Sequence, residues 1–378
     1  MALTKLVSMA GLWSVGGSSI SLPFEDGKVS MGLDGQSTKV RIDSGSARFF
    51  VVYGPEYEKR NKSCNDIKVC YFCPPNHPCD DILERKNWTV FFGDGDVYTY
   101  VEHIVSLNLG DIVIPEVSIG LVINFYNIHD RDSPPDGFLG LSHGRIGIPE
   151  TFLEQLRRLS LISSLSYSIL TNGDAPNYNG VIMFDDSTGL DDSFVRIKGV
   201  KNQLAVDTWS MQLESADGRK LARPYDGGKV KKDKSVAVIF DSGATDIYLT
   251  ESEFDVFIDG CRGNVWFDED SDFYVVEEKN IHKLPTLVFY IGEKNRRTEI
   301  RIGPIHYLQV CQDLLCVVGV HPSPIRDATF GHPFFYAYDV GFDISTEETV
   351  IFIRKNTRVD GHEGEGVGEL LKRNKDKS

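Results

Sequence analysis

The sequence contains the tripeptide Asp-Ser-Gly twice, and each copy ends an apolar run that is typical of a strand. The first copy is Asp43-Ser44-Gly45 and the second is Asp241-Ser242-Gly243. A single copy is typical of a strand that ends in a turn, where Asp or Ser caps the backbone. One copy stands in each half of the chain, however, so together they predict two similar halves that each present one carboxylate.

A second pair of segments follows the two tripeptides at nearly the same distance. The first is 136–141, Asp-Gly-Phe-Leu-Gly-Leu, and the second is 329–331, Thr-Phe-Gly. The glycine of each segment, Gly140 or Gly331, permits two backbones to approach closely. With these four segments the chain resembles the pepsin-like aspartic proteases, in which each lobe supplies one Asp-Thr/Ser-Gly loop and one apolar-apolar-Gly segment.

The resemblance covers about residues 18 to 355 and implies a mainly β, bilobal fold, in which two β-barrel-like lobes enclose a cleft. It implies an aspartic endopeptidase that acts as a monomer on an extended polypeptide and needs neither a cofactor nor a metal. The predicted domains are a possible signal or N-terminal segment, an N-terminal lobe with a flap and a Cys-rich loop, a C-terminal lobe and a disordered tail. Their ranges are 1–17, 18–192, 193–355 and 356–378.

The implied chemistry requires the catalytic carboxyls of Asp43 and Asp241 to face each other. Two like charges at close range do not both ionise easily, so one carboxyl keeps a proton and the pair titrates as a unit. The ionised member takes a proton from a shared water, and the protonated member polarises the scissile carbonyl. The resemblance also implies roles for the other loop residues. The hydroxyls of Ser44 and Ser242 tie the two loops together, and the backbone amides at Gly45 and Gly243 approach the carboxylates. The Ser46 hydroxyl donates to Asp43.

The stretch from Trp88 to Val101 has the pattern of a β-hairpin, with Asp94-Gly95 as a tight-turn signal. An ordinary surface hairpin has the same pattern. The resemblance places the substrate-covering flap here, with Phe92 where the family has a tyrosine and Phe50 where it has the tryptophan that contacts that tyrosine. The implied flap and cleft residues are Phe92, Gly93, Asp94, Gly95, Arg41, Phe50, Phe138 and Ile239.

Two positions depart from the family pattern. Ala244 replaces a hydroxyl residue that donates to the second aspartate, and loss of that donor raises the pKa of Asp241. We therefore expect a pH optimum nearer to neutral. Arg41 shares a strand face with Asp43, whereas the other half has Ile239 at the matching position. Arg41 either favours an acidic substrate side chain, or holds Asp43 ionised, or extends to solvent along the groove.

Four of the seven cysteines lie in one polar loop. Cys70 and Cys73 form a Cys-x-x-Cys pair of the kind found in zinc sites, but the outer cysteines do not follow zinc-ribbon spacing. We favour two disulfides, in agreement with the disulfide-closed loop that the family often has after its first motif. The odd number in the second half predicts one pair and one free thiol, without showing which. The candidates are Cys64, Cys70, Cys73, Cys79, Cys261, Cys311 and Cys316.

Composition limits the remaining functions. A net charge of −15 argues against a nucleic-acid-binding protein, which needs a basic face. No apolar run has the length of a membrane-spanning helix. The sequons at Asn61 and Asn87, and a moderately apolar stretch from Leu6 to Val15, favour the secretory pathway, secretion or a lysosomal or vacuolar lumen.

Two features leave alternatives open. The family usually carries a basic prosegment, and there is no room for one before Ser18, so either the sequence is truncated or latency is controlled in another way. Arg41 and Phe92 also permit a catalytically weak pepsin-fold protein that binds peptides or a protein partner. A metal-dependent protein that uses the Cys-rich loop is a weaker alternative, because no histidine or carboxylate set accompanies the cysteines.

Local patterns predict several further elements. Phe49 to Tyr53 is a buried strand. Ile148-Pro149-Glu150 opens a helix, because proline and an acidic residue are favoured in the first turn. A short helix follows Glu251, and Leu284 to Phe289 is a strand. The basic run from Lys229 to Lys234 is more typical of a solvated loop than of a binding patch.

Overall fold

A computed structural model of the chain describes residues 20–60, 62–75, 77–173, 175–185, 191–221 and 236–357. The structure has 47% strand and 14% helix, which confirms the mainly β fold. The predicted signal segment, the sequon residue Asn61 and the basic run from Lys229 to Lys234 lie outside the described residues. No helix in the described ranges has the length and apolar character needed to cross a membrane.

The N-terminal half forms strands whose side chains alternate between the core and the surface. In β1, for example, Leu22 and Phe24 are buried while Ser21 and Pro23 are exposed. The strands are β1 (Ile20–Glu25), β2 (Lys28–Leu33), β3 (Gln36–Asp43), β4 (Phe49–Tyr53), β5 (Cys70–Tyr71), β6 (Asn87–Phe91), β7 (Asp96–Leu109), β8 (Ile112–Asn127), β9 (Phe138–Gly140), β10 (Ser166–Thr171) and β11 (Gly180–Phe184). The helices are α1 (Gly54–Glu58), α2 (Cys64–Ile67) and α3 (Phe152–Arg158).

The C-terminal half repeats this strand-rich pattern. Its strands are β12 (Val195–Lys198), β13 (Ala205–Glu214), β14 (Val236–Phe240), β15 (Ile247–Leu249), β16 (Val265–Asp268), β17 (Phe273–Glu277), β18 (Thr286–Glu293), β19 (Arg296–Ile302), β20 (Leu308–Gln312), β21 (Leu315–Val318), β22 (Val320–Pro322), β23 (Ala328–Phe330), β24 (Tyr338–Asp343) and β25 (Val350–Lys355). Its helices are α4 (Glu251–Gly260), α5 (Pro304–Tyr307) and α6 (His332–Ala337). The helix predicted after Glu251 is therefore confirmed as α4.

The strands form three sheets. The largest has 14 strands in the order β12-β25-β24-β10-β11-β1-β2-β3-β9-β4-β8-β7-β6, with β5 paired to β4. The others have the orders β19-β18-β13-β14-β23-β15-β22 and β16-β17-β21-β20. Because β24 pairs with β10, with Val340 opposite Ile169, the C-terminal strands extend the sheet of the N-terminal half. One continuous sheet thus connects the parts of the chain on either side of residue 192.

The two halves use the same local arrangement to present their Asp-Ser-Gly segments. Strand β3 runs parallel to β9, with Asp43 opposite Gly140. Strand β14 runs parallel to β23 and ends one residue before Asp241. Each acidic loop therefore follows a strand that lies beside the apolar-apolar-Gly segment of its own half, as the repeated motifs predict.

A small apolar cluster lies beneath the flap, separate from the main core. It consists of Phe50, Tyr98, Tyr100, Val122 and Phe138. Partly buried flap residues, including Trp88 and Phe92, pack against it. The cluster connects strand β4, which follows the first acidic loop, to both strands of the flap.

Three predicted boundaries were wrong. The helix predicted from Ile148 begins at Phe152, because Thr151 and Glu154 form a reciprocal capping box one turn later. The strand predicted from Leu284 begins at Thr286, after Pro285, which has no N–H to donate. The predicted tail began too early, since Asn356 is buried and its Nδ2 donates to Thr171 O at 3.0 Å. Residues 358–378 of that tail lie outside the described residues.

The cysteine pairing is specific. Cys64 bonds to Cys70 and Cys73 bonds to Cys79, so the polar loop is closed twice, as predicted. Cys311 bonds to Cys316, which lies opposite it on the neighbouring strand. The predicted single pair and single free thiol of the second half are thus confirmed, and the free thiol is Cys261, buried at the end of α4.

Candidate active site

The two acidic loops meet through a reciprocal set of hydrogen bonds. The backbone N–H of Ser44 donates to Ser242 Oγ at 3.0 Å, and the N–H of Ser242 donates to Ser44 Oγ at 2.8 Å. Each hydroxyl in turn donates to a carbonyl of the opposite half, Ser44 to Phe240 and Ser242 to Ile42. Both serines are fully buried. The two serines therefore connect the loops of the two halves in a nearly symmetric way.

This connection brings the two aspartates together. The carboxyl groups of Asp43 and Asp241 lie within hydrogen-bonding reach of each other. A Cβ on Gly243 would lie 2.8 Å from Asp43 Oδ1, and one on Gly45 would collide with the Asp241 carboxyl. Each glycine thus lies against the carboxyl group of the opposite half, where any side chain would displace it.

The donors to the two carboxyls are unequal. Asp43 Oδ1 accepts from the N–H of Gly45 at 2.8 Å and of Ser46 at 3.1 Å, whereas Asp241 Oδ1 accepts from the N–H of Gly243 at 2.8 Å. The Ser46 hydroxyl makes no hydrogen bond of good geometry among the described residues, although it lies close enough to lower the pKa of Asp43. Asp43 therefore has the better environment for a negative charge.

Burial raises the pKa of both carboxyls. For Asp43, desolvation exceeds the opposing effect of donors from Ser46, Asp241 and Gly45, so its pKa lies above the ordinary value. For Asp241, desolvation and then repulsion from the Asp43 charge raise the pKa well above the ordinary value. The pair therefore favours a state in which Asp43 is ionised and Asp241 keeps a proton.

The glycine segments support the loops from below. Leu141 N–H donates to Asp43 O at 2.8 Å, and Asp241 N–H donates to Phe330 O at 3.0 Å. A Cβ on Gly140 would collide with the backbone of Arg48, and one on Gly331 would collide with that of Asp246. This close approach is the role that the sequence predicts for the two glycines.

The hairpin of β6 and β7 turns from Phe92 to Gly95, where the Gly95 N–H donates to Phe92 O at 3.2 Å, so the predicted Asp94-Gly95 dipeptide lies at its tip. Gly93 and Asp94 are exposed, and Gly95 has a positive φ of 91°, which favours glycine. The ring of Phe92 stacks on Phe138 with the centroids 5.0 Å apart and lies 6.3 Å from Phe50. The flap thus contacts the cleft floor through aromatic packing.

Arg41 forms an ion pair with Asp136, which lies just before strand β9. Its Nη2 lies 3.0 Å from Asp136 Oδ2, its Nε lies 3.2 Å from the same oxygen, and its Nη1 donates to Gly243 O at 3.4 Å. Lys28 Nζ also contacts Asp136, at 2.9 Å. The guanidinium therefore lies between Asp136 and the second acidic loop. Ile239, its counterpart on β14, is partly buried.

Sequence reasoning missed two residues that surround the site. The Tyr98 hydroxyl donates to Asp96 Oδ2 at 3.0 Å and accepts from Asp136 N–H at 3.1 Å, so it connects the flap to the partner of Arg41. His332 is buried beside Ser242 O, at 3.2 Å, and burial lowers its pKa to about 3, so it is neutral. No sequence signal marks Tyr98, whereas the place of His332 directly after Gly331 was a usable clue.

One histidine lies beside the Cys-rich loop, where the sequence shows no histidine or carboxylate set. His103 of β7 is buried beside the Cys73–Cys79 disulfide, with its Nε2 3.8 Å from Cys79 Sγ. Long-range pairing of β7 brings it there, which spacing along the chain does not show. Both sulfur atoms are bonded to each other in this structure, and Arg85 Nη1 lies 3.2 Å from His103 Nδ1.

Comparison with known proteins gives one result for nearly the whole chain. A family model described as eukaryotic aspartyl protease matches residues 26–352. No curated protein matches the chain. The matched range includes both acidic loops, both glycine segments and the hairpin above them.

Proposed function

The chain belongs to the eukaryotic aspartyl protease family, and from this premise we propose that it is an active aspartic endopeptidase. Its substrates are polypeptides in an extended conformation, which lie between the flap and the two acidic loops. The catalytic residues are Asp43 and Asp241. The residues that support them are Ser44, Gly45, Ser46, Ser242 and Gly243.

One observation carries the proposal. The two buried carboxyls lie within hydrogen-bonding reach, and the raised pKa of Asp241 supports a single proton shared by the pair. Two carboxyls that share one proton are the well-known arrangement of aspartic proteases in general, so only its application to Asp43 and Asp241 is new. A purely structural role would not require two unpaired carboxyls to be desolvated together.

The unequal donors assign the roles of the two groups. Asp43, which accepts from two backbone N–H groups, is the ionised member and takes a proton from the water between the carboxyls. Asp241 keeps its proton and donates a hydrogen bond to the scissile carbonyl oxygen. Water then attacks the carbonyl carbon while its proton passes to Asp43 and the Asp241 proton passes to the carbonyl oxygen, which gives a neutral diol. Asp43 next gives its proton to the amide nitrogen, Asp241 takes a proton from one diol hydroxyl, and the C–N bond breaks to release a carboxylic acid and an amine. The pair regains its single proton at the end of the cycle.

The flap and Arg41 bear on substrate binding. Phe92, stacked on Phe138, supplies an apolar surface above the cleft but no hydroxyl. Because Arg41 is paired with Asp136, which it shares with Lys28, its geometry supports neither an acidic preference at that position nor a direct hold on Asp43. Arg41 instead connects Asp136 to Gly243 O and so helps to position the second loop.

A catalytically weak peptide-binding protein is the second candidate. Its support is Phe92, which leaves the flap without a phenol over the acidic pair. The presence of both carboxyls and of all four serine hydrogen bonds favours the enzyme.

We also propose that the protein is a monomer of the secretory pathway, since it has three disulfides and an exposed glycosylation candidate at Asn87.

The proposed function is tested by incubating the purified protein with an unfolded protein substrate at pH values from about 3 to 7. We expect cleavage that a statine-type inhibitor abolishes, because the statine hydroxyl takes the place of the shared water. A folded sample that binds peptides but cleaves none at any pH would support the second candidate instead.

The alkaline limit of activity depends on Ala244. The reaction needs one proton on the pair, so activity falls as the pH rises through the raised pKa of Asp241. Ala244→Ser adds a hydroxyl donor that stabilises ionised Asp241 and lowers this pKa. We expect the alkaline limb of the kcat profile to move to lower pH by on the order of one unit. A limb that stays in place would show that Ala244 does not control it.

A further inference from the structure

A cavity lies between the first acidic loop and the base of the flap, and we call it the Arg48 cavity. Its volume is about 20 Å³, enough for one small polar group, and it is partly open to solvent. Its walls come from the segment after the first acidic loop, from β7 and β8, and from the chain before α3. The lining residues used below are Arg48, Tyr100, Glu102, Ser118 and Glu150.

Part of the half-buried Arg48 guanidinium has no partner among the described residues. Its Nε and Nη1 are buried and form no hydrogen bond or ion pair with any residue that the structure describes. The hydroxyl of Tyr100, a residue that is 2% exposed, is likewise buried without a partner. Buried N–H and O–H donors are nearly always satisfied, and an unpaired buried cation is costly. The cavity thus offers several unsatisfied donors and one positive charge.

The carboxylates near the cavity do not neutralise this charge. Glu102 accepts from Ser118 Oγ at 3.1 Å, and Glu150 forms an ion pair with Arg158 at 3.0 Å. Burial and the nearby positive charge of Arg145 lower the pKa of Arg48, although Tyr100 opposes them. Two carboxylates therefore line the cavity, but neither forms an ion pair with Arg48.

The cavity is close to the first acidic loop along the chain, and aromatic packing relates it to the hairpin of β6 and β7. Arg48 follows Asp43 by five residues, and its carbonyl accepts from Gly140 N–H at 2.8 Å. The Tyr100 ring stacks on Phe50 with the centroids 5.8 Å apart, and Phe50 contacts Phe92 of the flap. The five residues from Asp43 to Arg48 span at most about 18 Å. A substrate strand rises about 3.3 Å per residue, so a residue within about five positions of the cleaved bond covers this distance.

We propose that Arg48, with the Tyr100 hydroxyl, binds the carboxylate of an Asp or Glu side chain of the substrate and so selects acidic residues at one position near the cleaved bond. This inference rests on the proposed function, because it assumes that the cleft binds polypeptides. A guanidinium and a carboxylate form strong, charge-assisted hydrogen bonds. The substrate carboxylate would pair with Arg48 and accept from the buried donors that have no partner among the described residues.

The test is cleavage of a diverse peptide mixture by the wild-type protein and by Arg48→Gln, Arg48→Lys and Arg219→Gln. For the wild type we expect enrichment of Asp and Glu at a single position within five residues of the cleaved bond. For a matched peptide pair with Glu or Gln at that position, kcat/KM should favour Glu about tenfold. Arg48→Gln should abolish this ratio, Arg48→Lys should keep part of it, and Arg219→Gln, an exposed arginine paired with Asp217, should not change it.

The outcomes separate this inference from the proposed function. Cleavage by the wild type without acidic enrichment, or enrichment that persists in Arg48→Gln, overturns the role of Arg48 and leaves the protease function intact. If the wild type cleaves nothing, the protease function fails. A binding measurement then still decides the inference: sodium glutarate at pH 6 should raise the Tm of the wild type above that in sodium chloride of equal ionic strength. An equal rise in Arg48→Gln contradicts the site.

Discussion

Asp43→Asn and Asp241→Asn should each lower kcat for peptide cleavage by roughly 10³-fold or more, because each removes one half of the proton transfer. An amide at position 43 cannot take the proton from water, and one at position 241 keeps a donor but cannot return the proton that the cycle requires. Asparagine has nearly the same shape as aspartate, so the serine hydrogen bonds should remain. The measurement is kcat with one unfolded substrate at several pH values.

Stability provides the control for Asp241→Asn. Its pKa is raised in the folded protein, so the wild type loses stability as the pH rises from the unfolded pKa, near 4, through the folded value. The asparagine variant lacks this loss and should melt at or above the wild-type Tm at neutral pH, with little difference below pH 4. A variant that is folded by this criterion but retains wild-type kcat would exclude Asp241 from the reaction.

The parts of the fold that follow from local sequence were predictable. The repeated Asp-Ser-Gly and glycine segments predicted the positions of both acidic loops. The distance along the chain from each Asp-Ser-Gly to its glycine segment is similar in the two halves, which indicates a duplicated structure. The dipeptide Asp94-Gly95 predicted the tip of the hairpin, because Asp-Gly is among the few dipeptides that are typical of a tight β-hairpin turn. The start of α3 was not found, because Pro149 and Glu150 give the same signal as a first turn, while Thr151 is the residue that caps the helix.

The side-chain partners within the site depend on pairing between distant strands. Arg41 and Asp136 both stand in recognised segments, but their ion pair depends on the parallel register of β3 and β9, which places Phe138 opposite Arg41. The free thiol of Cys261 follows from Cys311 and Cys316 standing opposite each other on β20 and β21. Arg48 carries no motif at all, and the lack of a partner that marks it exists only in the folded chain.

Gly140→Ala should destabilise the protein by about 3 kcal/mol, at the upper end of the cost of overpacking a tightly packed core. The new Cβ would collide with the Arg48 backbone, which is held by the hydrogen bond from Gly140 N–H to Arg48 O. Gly303→Ala is the matched control, since its Cβ would find Thr286 Oγ1 at 3.8 Å, an ordinary contact. The measurement is the free energy of unfolding in urea, together with kcat.

The effect on kcat separates a structural glycine from one that also positions the reaction. Gly140 lies opposite Asp43, and the next residue, Leu141, donates to Asp43 O, so a displaced segment moves the Asp43 carboxyl as well. We therefore expect kcat to fall in Gly140→Ala under conditions where the variant is still folded, because small misplacements of a catalytic group are costly. Equal stability and kcat in Gly140→Ala and Gly303→Ala would mean that the repeated glycine segments do not hold the acidic loops. The same substitution at Gly331 tests the other half, where the Cβ would collide with the backbone of Asp246.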